Sequence, residues 1–170
     1  LKQISENYRK VRNTFRFLLA NINREEDFSR ADLVDPASLP PLDQYMLVLL
    51  NEVNERCQQA YREYRFSDVT TMLTNLMTND LSAYYLDYTK DILYIERKDA
   101  PRRRQVQTVL YHATDVLVRL WAPILVHTAE EVNDFFKTEE ESIHLGRFAP
   151  KTEITQAEVL RQKVDRLMQI

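Results

Sequence analysis

Arg9, Arg12, Asn13 and Arg16, in the segment Tyr8 to Asn21 (YRKVRNTFRFLLAN), have the types and spacing to hold a polyanion. Wound at about 3.6 residues per turn, they line one side of a helix, while Tyr8, Val11, Phe15, Leu18, Leu19 and Ile22 form an adjacent apolar stripe. Guanidinium groups present planar donor forks to phosphate oxygens or base edges, and an Asn amide can pair with a base. The same pattern also describes a solvated face on a helix docked by its apolar stripe. A second cationic cluster, Arg102, Arg103 and Arg104, stands near an expected helix N-terminus, where the helix dipole disfavours cations. Either a neutralising partner or solvation would answer for it.

Other polar chemistry is thin. His112, His127 and His144 lack metal-ligand spacing, and no G-x-S-x-G, H-E-x-x-H or G-x-x-x-x-G-K-[ST] pattern occurs. The one cysteine, Cys57, excludes an intrachain disulfide and sits on an apolar stripe as a small hydrophobe. Trp121 falls on a core register; Tyr84, Tyr85 and Tyr88 cannot all face one way, and Tyr94 is placed for a wet hydroxyl. Asp87, Lys90 and Asp91 suit surface pairing, and the acidic run Glu139 to Glu141 would turn away from phosphate.

The elements that must position these residues are helical. Gly146 is the single glycine of 170 residues, which argues against hairpins and phosphate-cradling loops. The spacing predicts a first helix from about Lys2 to Asn21 and a proline-broken connection from Ile22 to Leu39 holding a short helical turn. A second helix follows from Pro41 or Leu42 through Tyr64. Ser67 or Asp68 is expected to cap a third, which Asn79-Asp80 would kink or divide. Pro101 opens a long helix that Pro123 bends or ends, and Thr128 to Glu131 has the form of a capping box for a short helix to about Lys137. Ser142 to Pro150 reads as irregular, and Gln156 to Met168 as a last amphipathic helix. The expected fold is an all-α, up-and-down bundle, one domain over residues 1–170.

With 44% hydrophobic and 29% charged residues the chain has the composition of an ordinary globular domain. A net charge of −3 means that any nucleic-acid contact uses a local patch, such as Lys2, Arg9, Lys10, Arg12 and Arg16 against Glu6. No run long enough to span a membrane and no secretory signal occurs, so an intracellular origin is expected. The uncapped ends suggest a piece of a longer protein.

Four blocks, YRKVRNTFRFLLAN, NDLSAYYLDYTKDILY (Asn79 to Tyr94), RRRQVQTVLYHATDVLVRLWAPILVHTAEEV (Arg102 to Val132) and ESIHL (Glu141 to Leu145), carry a resemblance over nearly the whole chain. In order and spacing they resemble the tRNA anticodon-binding domain of isoleucyl-tRNA synthetases. The valyl, leucyl and methionyl enzymes share the bundle but typically not RNTFRFLL or YLDYTKDILY. Two positions depart from the family: Val126 stands where proline is usual and Asn133 where tryptophan is usual.

The resemblance implies a helical domain that holds the anticodon stem-loop of an isoleucine-accepting tRNA while a cytoplasmic parent ligase charges it. The family's HIGH-type and KMSKS-type adenylation motifs are absent here, so the chain alone is expected to be non-catalytic. ATP and Mg would belong to the parent's catalytic domain and any zinc to elements outside this chain, with no cofactor inside it. The implied partners are tRNA and that catalytic domain, not DNA or a membrane. The candidate tRNA-binding residues are Arg9, Arg12, Asn13, Arg16 and Arg103. Related methionyl enzymes use the Arg of a first-helix Arg-Asn pair for anticodon reading, and Arg12-Asn13 is the matching pair. Two alternatives stand beside this: another amino-acid specificity among the sister enzymes, and a helical protein-interaction module with a basic face.

Overall fold

A computed structural model of the chain describes residues 1–22, 27–136, 142–154 and 157–168. All regular structure among the described residues is helical. Helix α1 runs Lys2–Asn21, α2 Pro41–Arg62, α3 Phe66–Asn75, α4 Asp87–Ile95, α5 Pro101–Trp121, α6 Val126–Phe136 and α7 Ala157–Met168. The connection after α1 contains 3-10 turns at Arg30–Asp32 and Pro36–Ser38, and another turn spans Ile143–Leu145. Proline at the first turn opens both α2 and α5, where no intrahelical N–H bond is lost.

The apolar stripes meet in one core. Leu18 of α1, Leu50 and Cys57 of α2, Leu73 of α3 and Val109, Leu110 and Leu117 of α5 are all sealed from solvent. Trp121 is buried as its register predicts, and its indole N–H points at the Met77 sulfur, 3.1 Å away. Tyr8 departs from its stripe: it is 39% exposed, with its hydroxyl 2.8 Å from Thr128 Oγ1.

The expected kink at Asn79-Asp80 takes another form. Between α3 and α4 the chain forms a π-helical segment, Leu76–Leu86, and the backbone stays right-handed at both junctions, with φ −58°, ψ −49° at Leu76 and φ −63°, ψ −43° at Asp87. Wider turns change which residues share a face. Leu76, Met77, Leu81, Tyr85 and Leu86 enter the core, while Tyr84 and Tyr88 stay outside.

Two other boundaries correct the reading from sequence. Helix α3 opens at Phe66 without a side-chain cap, because Asp68 instead pairs with Arg65 at 2.5 Å. Helix α6 opens at Val126, with Ala129 N–H donating to Leu125 O at 2.9 Å, so Thr128 lies inside the first turn rather than capping it. Its hydroxyl meets Tyr8 and Glu131 reaches to Arg12, so the two polar groups of the expected capping box join α6 to α1. Between α2 and α3, Tyr64 takes a left-handed φ of 58° and Arg65 N–H donates to Ala60 O at 2.8 Å. That helix-closing geometry ordinarily draws glycine, which this chain scarcely has.

Buried polar groups tie the helix ends together. Arg102 bonds the fully buried Asp43 carboxylate, which also accepts the Tyr85 hydroxyl at 2.8 Å, linking α5, α2 and the π segment. Arg103 pairs with Asp27 and donates to Leu93 O at 3.1 Å, and Gln107 donates to Asn21 O at 2.9 Å. These bonds fix the end of α1 and the end of α4 against the start of α5.

Candidate nucleic-acid interface

Helix α1 offers a basic ridge with a hollow on each flank. Arg9 and Arg16 are seven residues apart, hence nearly in line along the helix, and both are exposed without an ion pair or side-chain hydrogen bond among the described residues. Lys10, also exposed and unpaired among them, and Asn13 lie to one side; Arg12 lies to the other. At about 100° per residue this split follows from sequence position alone.

The first hollow, about 540 Å³, lies between α1 and the rod formed by the π segment and α4. Lys10, Asn13 and Phe17 face Thr78, Ser82 and Leu86 across it, with Lys90 and Tyr94 at the α4 end. Thr14 fixes the approach, its hydroxyl 2.9 Å from Ser82 Oγ and 2.9 Å from Lys10 O. Lys90 pairs with Asp87 at 2.9 Å, which holds its ammonium above the ordinary lysine range. Tyr94 is 70% exposed, as its position near the helix end predicts. An amide, two ammonium groups and an open aromatic ring are suited to an unstacked base and its phosphates.

The second hollow, about 330 Å³, lies between α1 and α6, lined by Arg12, Arg16, Thr128, Glu131 and Phe135 over an apolar floor. Arg12 Nη2 donates to Glu131 Oε1 at 3.1 Å and Oε2 at 3.4 Å. Both side chains are well exposed, 40% and 56%, so this pair contributes little stability, about 0–1 kcal/mol, and leaves Arg12 able to take another acceptor.

Arg103 is a correction. Its guanidinium is buried and occupied by Asp27, Leu93 O and Lys98 O, so it faces the protein interior rather than a surface ligand. Arg102 and Arg104 are likewise engaged, by Asp43 and by Asp27 O. The neutralising partner of the triplet is the chain itself. The acidic run Glu139 to Glu141 lies outside the described residues.

Burial pushes the Cys57 thiol up to about 11, far from a reactive thiolate, and burial lowers the His112 pKa. Among the described residues no three His, Cys, Asp or Glu side chains gather to hold a metal, and no helix is long and apolar enough to cross a membrane.

The profile of one family, the anticodon-binding domain of tRNA ligase, matches residues 43–170, from within α2 to the end of the chain. The chain belongs to that family. An isoleucine–tRNA ligase of Bacillus mycoides is 46% identical over 170 residues, 99% of this chain and 18% of the relative. Isoleucine–tRNA ligases of Lactococcus lactis and Bacillus subtilis are 44% and 43% identical over 94% and 99% of the chain. This anticodon-binding domain thus spans less than a fifth of the length of those relatives, and their similarity extends over α1, which precedes the profile match.

Sequence reasoning placed Arg9, Arg12, Asn13 and Arg16 on the anticodon-binding domain's exposed helix but missed what flanks them. The pattern Thr128 to Glu131 makes Glu131 a capping residue, whereas it lines the second hollow beside Phe135, which is 69% exposed. The signal is the register of α6: Ala129, Val132, Asn133 and Phe136 form a buried stripe at helical spacing, and Phe135 falls outside it.

Proposed function

We propose that this domain binds the anticodon stem-loop of an isoleucine-accepting tRNA within an isoleucine–tRNA ligase, holding the tRNA while a catalytic domain outside this chain joins it to isoleucine at the expense of ATP, with Mg. The observation that carries the reading is the α1 ridge: Arg9 and Arg16 project without a counter-charge among the described residues, between two hollows with polar walls. In a chain of net charge −3, unpaired cations along one helix form a local anion site.

Arg9 and Arg16 take phosphates and set the register; Asn13 reads a base in the first hollow and Arg12 one in the second. Single-stranded loops permit this because their bases can be splayed and read on their pairing edges. The similarity to isoleucine–tRNA ligases along nearly the whole chain supports isoleucine over the sister specificities, and a cytoplasmic compartment suits such an enzyme. The test is a filter-binding titration of a full-length isoleucine–tRNA ligase carrying this domain with cognate and non-cognate tRNA at two salt concentrations. Cognate preference together with binding that weakens steeply with salt supports the proposal, and absent preference or salt-insensitive binding refutes it.

A further inference from the structure

We infer that the hollow between α1 and α6 is a pocket for one unstacked guanine, with the Glu131 carboxylate accepting from its pairing edge. The inference rests on the anticodon-loop reading above and adds the identity of the base and two residues to it. A pocket for phosphate alone would not place a carboxylate at its wall, since the two anions repel. Glu131 nevertheless stands beside Arg12 and Arg16, exposed, in a hollow with Phe135.

A carboxylate only accepts, and has lone pairs on both oxygens. In the free protein Arg12 Nη2 reaches both oxygens and so sits in the fork of the carboxylate; the pair is exposed and weak, so the guanidinium can turn aside as a base takes that fork. Among the four bases, guanine alone presents two adjacent donors, N1–H and the 2-amino group, that such a group can accept side by side. Its neighbouring O6 needs a donor, and Arg12 retains Nη1 and Nε for it. Arg12 holds the Glu131 carboxylate beside α1 in the free protein and, on turning to O6, gives up the fork to the base. Phe135, 69% exposed at the pocket wall, offers a ring on which the base can stack. Thr128 is occupied by Tyr8, so that bond holds the wall rather than the ligand.

The test uses a full-length isoleucine–tRNA ligase carrying this domain and transcripts of its tRNA with each anticodon-loop guanosine replaced in turn by inosine, which lacks the 2-amino group. At one position inosine should raise the tRNA KM about tenfold with little change in kcat. In Glu131→Gln the guanosine-to-inosine ratio at that position should fall to near one, because an amide cannot accept two adjacent donors. Phe135→Ala should raise KM severalfold for both transcripts alike. Melting temperatures should stay within a few degrees of the parent. A ratio unchanged by Glu131→Gln, or no inosine-sensitive position, overturns the guanine pocket, as does Glu131→Gln lowering the melting temperature while discrimination persists. If Arg9→Ala/Arg16→Ala still weakens tRNA binding in that case, only the pocket falls; if it does not, the anticodon reading falls too.

Discussion

Removing Arg9 and Arg16 together measures the charge that α1 gives to RNA. Each cation that neutralises a phosphate adds about 0.7 to 0.9 to the slope of log affinity against log salt. Both arginines are exposed and unpaired among the described residues, so both charges are available to the ligand. The double variant Arg9→Ala/Arg16→Ala should therefore lower the slope by about 1.4 to 1.8. Over a fourfold rise in salt the parent should lose roughly tenfold more of its affinity than the variant does. No internal partner among the described residues is lost, so stability should change by no more than about 0.5 kcal/mol, roughly 2 °C in melting temperature. The assay is nitrocellulose filter binding of full-length ligase to its tRNA between 50 and 200 mM salt (about that range), with Lys163→Ala on exposed α7 as a control. Parallel slopes for parent and double variant, with folding intact, would refute the ridge as an RNA contact.

Three further outcomes follow from the interior. Leu117→Ala in the centre of α5 should cost roughly 2–5 kcal/mol in denaturant unfolding, since the cavity has no route to solvent. Arg103→Ala, which leaves the buried Asp27 carboxylate with Gln107 at 3.1 Å and Arg104 at 3.7 Å, should cost up to about 3 kcal/mol, whereas a surface RNA contact would leave the melting temperature unchanged. Burial lowers the His112 pKa against an opposing pull from Asp115, so the unfolded chain takes up the proton first. His112 therefore leaves stability intact above about pH 6.5 and erodes it as pH falls below that value; a melting-temperature profile against pH should flatten there in His112→Gln. Asp80, raised by burial, acts in the opposite sense at lower pH, binding its proton more readily when folded.

Where local pattern and burial agree, the sequence was an adequate guide. Helices α1, α2 and α5 have long stripes, proline marks the starts of α2 and α5, and the helix ends lie where proline or lost periodicity places them. The π segment was not legible, since the same apolar residues fit an interrupted α-helix, and what selects the wider turn is packing against α1 and α2, with Tyr85 held by Asp43. The fate of Arg103 was hidden for a similar reason: its acceptors, at Asp27, Leu93 and Lys98, lie up to 76 residues away. A triplet of arginines looks the same whether its counter-charges are internal or external.

That contrast separates the two basic clusters. On α5, cations near a helix N-terminus work against the dipole, and buried acceptors compensate by holding neighbouring chain ends in place. Among the described residues, Arg12 is the α1 cation with an internal acceptor, and that acceptor is exposed. The same buried bonds that remove Arg102, Arg103 and Arg104 from the surface set the π segment and the end of α4 against α5. With Thr14 and Ser82 joining α1 to that rod, and Tyr8 and Arg12 joining α1 to α6, the two walls that flank the ridge are fixed. The interior cations thus hold the frame in which the exposed ones can act, and a loss of RNA binding in an Arg103 variant has to be read beside its melting temperature before it counts as contact.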